Sequence, residues 1–199
     1  MHSAANFQIV AGHIEGARQI ASPNFNARPA GTEIQLIVIH NISLPPSQFG
    51  GAYIEQFFQN QLDWSIHPYF QTIQGMQVSA HVLILRTGEV LQCVNLNDRA
   101  WHAGRSRYLG KKECNDYSIG IELEGSDDTD FEEIQYQRLV EVVEQIQIAY
   151  HKTAQHMAGH SDIAPQRKTD PGPHFQWNHF RARLQQKKQS QLAPRSTHF

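Results

Sequence analysis

Ile34 to Ile39 form a continuous β-branched, apolar run that stops at His40-Asn41. Such a run predicts a strand buried on both faces and central in a sheet. Ser79 to Arg86 and Val90 to Asn95 read as two further strands, joined into a hairpin by Thr87-Gly88-Glu89. Tyr117 to Gly125 is the fourth strand candidate. Along it Glu122 shares a face with Gly120 and Glu124 and opposes Ile121 and Leu123, while Gly120 signals that another group approaches the backbone closely. The clearest helix runs from about Phe131 to Tyr150, where Ile134, Leu139, Val142, Val143, Ile146 and Ala149 recur at threes and fours and Thr129 and Glu132 stand at capping-box spacing.

Shorter elements fill the remainder. Residues 13–20 suggest a helix with Ile14, Ala17 and Ile20 on one face, ended by Ser22-Pro23-Asn24, and Arg28-Pro29-Ala30-Gly31 is turn chemistry inside a loop. Residues 42–78 carry few strand signals. Within them Ala52 to Leu62 is expected to be helical around Ile54, Phe57 and Phe58, and His67-Pro68-Tyr69-Phe70 irregular. So long an irregular stretch is either a substrate-binding wall or lid, or an ordinary decorated surface loop. A last helix is expected over 176–186 with Trp177, Phe180 and Leu184 inward. From Lys187 the pattern ends, which predicts one domain over residues 1–186 and a disordered tail over 187–199.

Composition narrows the function classes. A chain of 199 residues suits one core, and a net charge of −2 with neutral histidine gives no basic field for nucleic acid. Cys93 and Cys114 make neither a disulfide framework nor a cysteine-rich zinc ribbon and read as two reduced, half-buried thiols. Residues 1–16 lack a basic segment followed by an apolar run, and no stretch approaches the ~20 apolar residues of a membrane span. A cytoplasmic, monomeric protein without membrane or nucleic-acid partners is expected. The 12 histidines raise the prospect of a metal site.

The chemistry concentrates in Gly159 to Pro173, which is expected to run without helix or strand, pinned by Pro165, Pro171 and Pro173 and turned at Gly159 and Gly172. Lys168 and Asp170, two apart, point the same way if extended, and His160 reaches them if the loop folds back. His40, His160 and Asp170 together supply two nitrogens and one oxygen, a normal set for a catalytic zinc with one open position. Glu122, on a semi-buried strand, is the candidate proton shuttle, and Lys168 the candidate oxyanion stabiliser. Each residue has a plainer reading. His40 can simply end a strand, with His102 and, less strongly, His81 as rival ligands. Glu122 and Glu124 can be solvated edge residues, and Lys168 with Asp170 a surface ion pair of little energy.

Five stretches in this order carry a resemblance: Ile37 to Pro46, Val78 to His81, Arg99 to Gly104, Cys114 to Gly125, and Gly159-His160 through Lys168 to Pro173. Together they resemble the AmpD-type anhydro-N-acetylmuramoyl-L-alanine amidases, zinc amidases related to phage lysozymes of the amidase type and to peptidoglycan recognition proteins. The likeness covers about residues 20–185. It implies an α/β (α+β) fold, a mixed β-sheet flanked by helices with zinc at the sheet rim. It implies Zn2+ held by His40, His160 and Asp170, proton transfer by Glu122 and oxyanion stabilisation by Lys168, with His102 and His81 left in the groove wall. It implies hydrolysis of the amide between anhydro-N-acetylmuramic acid and L-alanine of small muropeptides during cell-wall recycling, with an indirect effect on β-lactamase induction. Asn41 and Arg167 are the expected substrate contacts. Where relatives carry peptide-holding arginines this chain has Gln77 and Glu113, with Lys111, Lys112 or Arg107 as stand-ins. The competing readings are a non-catalytic peptidoglycan-binding module of the same fold and an amidase acting on intact wall.

Overall fold

A computed structural model describes residues 7–192. In chain order its strands and helices are β1 (Gln8–Val10), β2 (His13–Glu15), β3 (Arg18–Gln19), β4 (Phe25–Asn26), β5 (Leu36–Ile42), α1 (Tyr53–Phe58), α2 (Pro68–Thr72), β6 (Val82–Ile84) and β7 (Val90–Gln92). There follow β8 (Arg99–Ala100), β9 (Arg107–Tyr108), β10 (Lys111–Lys112), β11 (Ser118–Glu124), α3 (Glu133–Ala149), β12 (Met157–Gly159), α4 (His160–Ile163) and α5 (Trp177–Leu192). Six strands make the central sheet in the order β12-β5-β11-β6-β7-β3. It is mixed: β12, β5, β11 and β6 run parallel, β7 pairs antiparallel to β6, and β3 lies parallel to β7.

The apolar run 34–39 does form a central strand, shifted toward its carboxyl end so that His40 lies inside it. Strand alternation divides the sheet into two faces. Ile37, Ile39, Val82, Ile84, Ile119, Ile121 and Leu123 pack on Leu139, Val142, Val143 and Ile146 of α3 and on Phe180 and Leu184 of α5. On the opposite face Leu83 and Leu91 pack on α1 and α2 through Ile54, Phe57, Phe58 and Phe70. Further along that face Leu36 and Val38 join Ala103, Cys114, Tyr117 and Ile163 in a separate cluster. The polar side chains His40 and Glu122 fall on this second face, where Leu83 lies opposite Glu122 in the β6–β11 pairing and Val38 precedes His40 on the same side of β5.

Several local expectations are corrected. Residues 13–20 form no helix. Ala11 and Gly12, both at positive φ, turn the chain into the β1–β2 hairpin, and the Ile14 N–H donates to the Gln92 side chain at 2.8 Å. Three apolar residues at helical spacing are too few to outweigh that long-range pairing. The α3 cap is Glu132 with Gln135, whose side chain accepts from the Glu132 N–H at 3.0 Å. Thr129 instead accepts from the Ser126 hydroxyl in the preceding loop. The first helix ends early, just before Asn60 takes a positive φ. Residues 68–72, expected to be irregular, are helical because Pro68 suits a first helical position and His67 Nδ1 caps the Tyr69 N–H at 3.1 Å. A short helix, α4, opens the loop that was expected to lack any. The last helix continues past Gln186 to Leu192, and residues 193–199 of the expected tail lie outside the described residues. Both cysteines are free, and they are fully rather than half buried.

Phe180 is fully buried against the α3 face of the sheet. Phe180→Ala is therefore expected to lower the unfolding free energy by about 3–5 kcal/mol, read from urea denaturation.

Candidate metal centre and its cleft

The site grows out of one register. In the parallel pair β5–β11, His40 lies opposite Glu122. β12 pairs on the other side of β5 and ends at Gly159, so the first residue of α4, His160, emerges beside His40. The loop that follows is folded back on itself: the Ser161 N–H donates to the Asp170 carbonyl at 2.9 Å. Gly159 permits this, since a Cβ there would stand 2.8 Å from the Pro171 ring. Asp170 thus arrives at the two imidazoles, at the carboxyl ends of parallel strands where open α/β sheets place ligands.

Three donor atoms converge. His40 Nδ1 is 3.0 Å from His160 Nδ1 and 3.0 Å from Asp170 Oδ2, and His160 Nδ1 is 3.1 Å from the same oxygen. All three lie within 4.8 Å of one another, a spacing that can hold a metal ion. His160 Nε2 is 3.1 Å from the Ala103 carbonyl, which accepts its proton and leaves Nδ1 bare toward the centre. His40 Nε2 meets His102 Nδ1 at 3.0 Å. The two rivals for His40 therefore do not join the cluster. His102 stands behind His40. His81 accepts the Gly120 N–H at Nδ1 and approaches the Asp98 carbonyl at Nε2.

Burial sets the charges. It lowers His40 to about 4, against the raising effect of its bond to Asp170, and it lowers His81 to about 3, helped by the Arg28 cation. For Asp170 burial acts upward, yet the two imidazoles of His160 and His40 beside it outweigh it and hold the carboxylate well below the ordinary range. Glu122 is pushed well above the ordinary range, first by burial and then by the Asp170 charge, with Lys168 opposing. Its Oε2 is buried without a hydrogen-bond partner among the described residues. Neither Glu122 nor Glu124 is a solvated edge residue. Both are buried on a central strand, and Glu124 accepts N–H groups from Gly50 at 2.5 Å and Arg86 at 2.9 Å.

A cleft of about 760 Å³ opens over the cluster. Glu122, His160, Asp170 and Lys168 line it, and residues 42–78 supply a wall that includes Leu44, Phe57, Tyr69, Ile73 and Met76. Lys168 is exposed and makes no ion pair with Asp170. Asn41 and Arg167 also border the cleft, but each is partly committed. The Asn41 amide donates to Asp127 at 2.8 Å, and Arg167 donates to the Ala103 and Arg105 carbonyls at 2.7 and 2.9 Å. Gln77 and Glu113 are both exposed.

Residues 30–173 match the family described as N-acetylmuramoyl-L-alanine amidase. The chain belongs to the N-acetylmuramoyl-L-alanine amidase family. It is 52% identical over 170 residues to 1,6-anhydro-N-acetylmuramyl-L-alanine amidase AmpD of Haemophilus influenzae, a span covering 85% of this chain and 92% of that protein. The crystal structure of a selenomethionine AmpD derivative aligns with a TM-score of 0.86 at 48% identity, covering 87% of this chain and 97% of that one. The complex of the Escherichia coli amidase AmiD with anhydro-N-acetylmuramic acid-L-Ala-D-γ-Glu-L-Lys aligns at 0.56 and 28% identity, covering 97% and 74%. As a member of this family the chain is an amide-bond hydrolase. Its fold is the mixed-sheet α/β architecture of these relatives.

Sequence reasoning missed the half-buried cation beneath this site. Arg28, placed by its neighbours in a turn, sends its guanidinium inward to the carbonyls of Leu96, Asn97, Asn115, Asp116 and Ser118 at 2.9–3.2 Å. Burial lowers its pKa to about 10. The flanking Pro29 and Gly31 drew attention to the backbone and gave no sign of the side chain.

The titrations predict opposite pH trends in the metal-free protein. A histidine held at about 3, as His81 is, costs stability as pH falls from about 6.5, because the unfolded chain binds the proton first. Glu122, raised in the fold, costs stability as pH rises above about 4.3, because the unfolded chain loses its proton first. Glu122→Gln is therefore expected to be more stable than the parent at pH 7, with the gain shrinking toward pH 4. Urea midpoints at both pH values check this, and an unchanged midpoint at pH 7 would contradict it.

Proposed function

We propose that the chain cleaves the amide between the lactyl group of anhydro-N-acetylmuramic acid and L-alanine in small muropeptides, using zinc held by His40, His160 and Asp170. The observation that carries this reading is the convergence of two imidazole nitrogens and a carboxylate oxygen beside a buried, unpartnered Glu122 in one cleft. The donor set fits zinc: three protein atoms of N, N and O type, with the far nitrogen of each histidine hydrogen-bonded. Zinc bound there supplies Lewis acidity and a water acidified to roughly pKa 7.

The chain's own groups do the rest. Glu122, kept in a low-dielectric pocket, takes the proton of the attacking water and returns it to the leaving amide nitrogen. Lys168 provides an ammonium at the cleft wall for the oxygen that becomes negative in the tetrahedral state. Asn41 and Arg167 hold substrate at the cleft edge with the groups their structural bonds leave over. The names of relatives near half identity, and the muropeptide bound in the AmiD complex, support this substrate class. Among the described residues no helix is long and apolar enough to cross a membrane. We place the reaction in cytoplasmic wall recycling by a monomer, where removing the muropeptide signal lowers β-lactamase induction.

Zinc content and release of stem peptide from anhydro-muropeptide, with and without chelator, test this. One zinc per chain and chelator-sensitive cleavage at the lactyl-alanine bond are expected. Asp170→Ala is expected to lose zinc. Glu122→Ala should keep zinc and fold yet lose turnover by about 10²–10⁴-fold. Full activity in Glu122→Ala would remove its assigned role.

A further inference from the structure

His40 has two ring nitrogens, and a neutral imidazole carries one proton between them. To offer Nδ1 to a metal alongside His160 and Asp170, His40 must keep its proton on Nε2. The atom facing Nε2 is Nδ1 of His102, 3.0 Å away, with the two rings edge-on at 86°. His102 Nδ1 must then be bare, so its own proton sits on Nε2, where Ser118 Oγ lies 3.1 Å away. Ser118 Oγ is also 2.5 Å from the Cys114 carbonyl. Two oxygens that close need a hydrogen between them, and a carbonyl has none to give. The Ser118 proton therefore points at Cys114, and its lone pair faces His102. One proton arrangement satisfies every link from the carbonyl back to His40, and it leaves Nδ1 of His40 bare.

The fold goes to some length to place this ring. The backbone N–H groups of His102 and Ala103 both donate to Asn115 Oδ1, at 3.2 and 2.8 Å. The ring lies directly over Gly120, where a Cβ would come within 2.4 Å of its Cγ. The close approach expected at Gly120 is thus that of His102.

We propose that His102 is a positioning residue that holds His40 in the tautomer presenting Nδ1 to the metal, with Ser118 and the Cys114 carbonyl setting the direction of the chain. The identity of the metal rests on the zinc reading above, whereas the tautomer does not. His102 touches no donor atom of the cluster and acts only through His40.

Two measurements separate this from a packing role. Histidine ring ¹⁵N shifts in the metal-free protein read the tautomer, and competition with a chromophoric chelator reads zinc affinity. The parent should show His40 protonated at Nε2. His102→Phe keeps a ring and removes the acceptor. It should give mixed His40 tautomers and about 10–100-fold weaker zinc binding. His102→Asn returns an acceptor near the Nδ1 position and should recover most of both. A packing role would leave the tautomer unchanged, and that result in His102→Phe, with parent zinc affinity, overturns the proposal. Should His102→Phe fail to fold, Ser118→Ala decides. It frees the far end of the chain and should shift the tautomers of His102 and His40 together, and unchanged tautomers overturn the proposal. If the parent binds no zinc while the variants still shift the tautomer, the zinc reading fails and the positioning role stands.

Discussion

The parallel pairing of β5 with β11, in the register that sets His40 opposite Glu122, is the constraint from which the rest follows. It fixes two candidate site side chains to two paired, buried strands at the centre of the sheet, where neither can drift. β12 then docks on the free edge of β5 and delivers His160 to the same corner. Only Asp170 depends on a loop, and that loop is clamped by the Ser161–Asp170 backbone bond and by Pro171 packed on Gly159. A one-residue slip of β11 would turn Glu122 toward α3 and put Ile121 or Leu123 against the cluster.

Such placement has a thermodynamic cost. His40, His81, His102 and Glu122 are buried and all resist their charged forms, while the Arg28 cation is held beneath them by carbonyls. A buried charge with one partner removed is strongly unfavourable, so the polar layer is tolerable only when fully connected. The described residues meet that condition almost throughout. The conspicuous exception within the cleft is Glu122 Oε2. An unpartnered oxygen there is costly to the fold and suits the proton transfer proposed for Glu122, since a carboxyl without competing donors can both take and give a proton.

Long, periodic signals were legible from sequence. The apolar run 34–39 and the stripe of α3 each declared their element, because many residues agreed. The candidate ligands His40, His160 and Asp170 stand in distinct local patterns, and the structure brings the three together. Short signals failed where long-range bonds decide. Ile14, Ala17 and Ile20 suggest a helix, but Gln92, far along the chain, claims the Ile14 N–H. Thr129 has the composition of a cap, but a hydroxyl partner in its own loop takes it. Arg28 was invisible because nothing adjacent to it in sequence reveals the five carbonyls that surround it. Asn41 and Arg167 show the same limit from the other side, since their bonds to Asp127, Ala103 and Arg105 become apparent only in three dimensions.

Glu122 and Glu124 show how far residue type alone falls short of role. They share one strand and one face, and both are buried. Glu124 lies next to the hairpin turn and the Gly50 loop, and each of its oxygens receives a backbone N–H. It ties two segments to the sheet, and both of its oxygens are engaged in that task. Two residues earlier the same side chain meets His40 across the strand pair and opens onto the cleft. Proton transfer requires an oxygen that no structural bond has taken, and along this strand that condition is met at Glu122 and not at Glu124. The division comes from what each position faces, which the register decides.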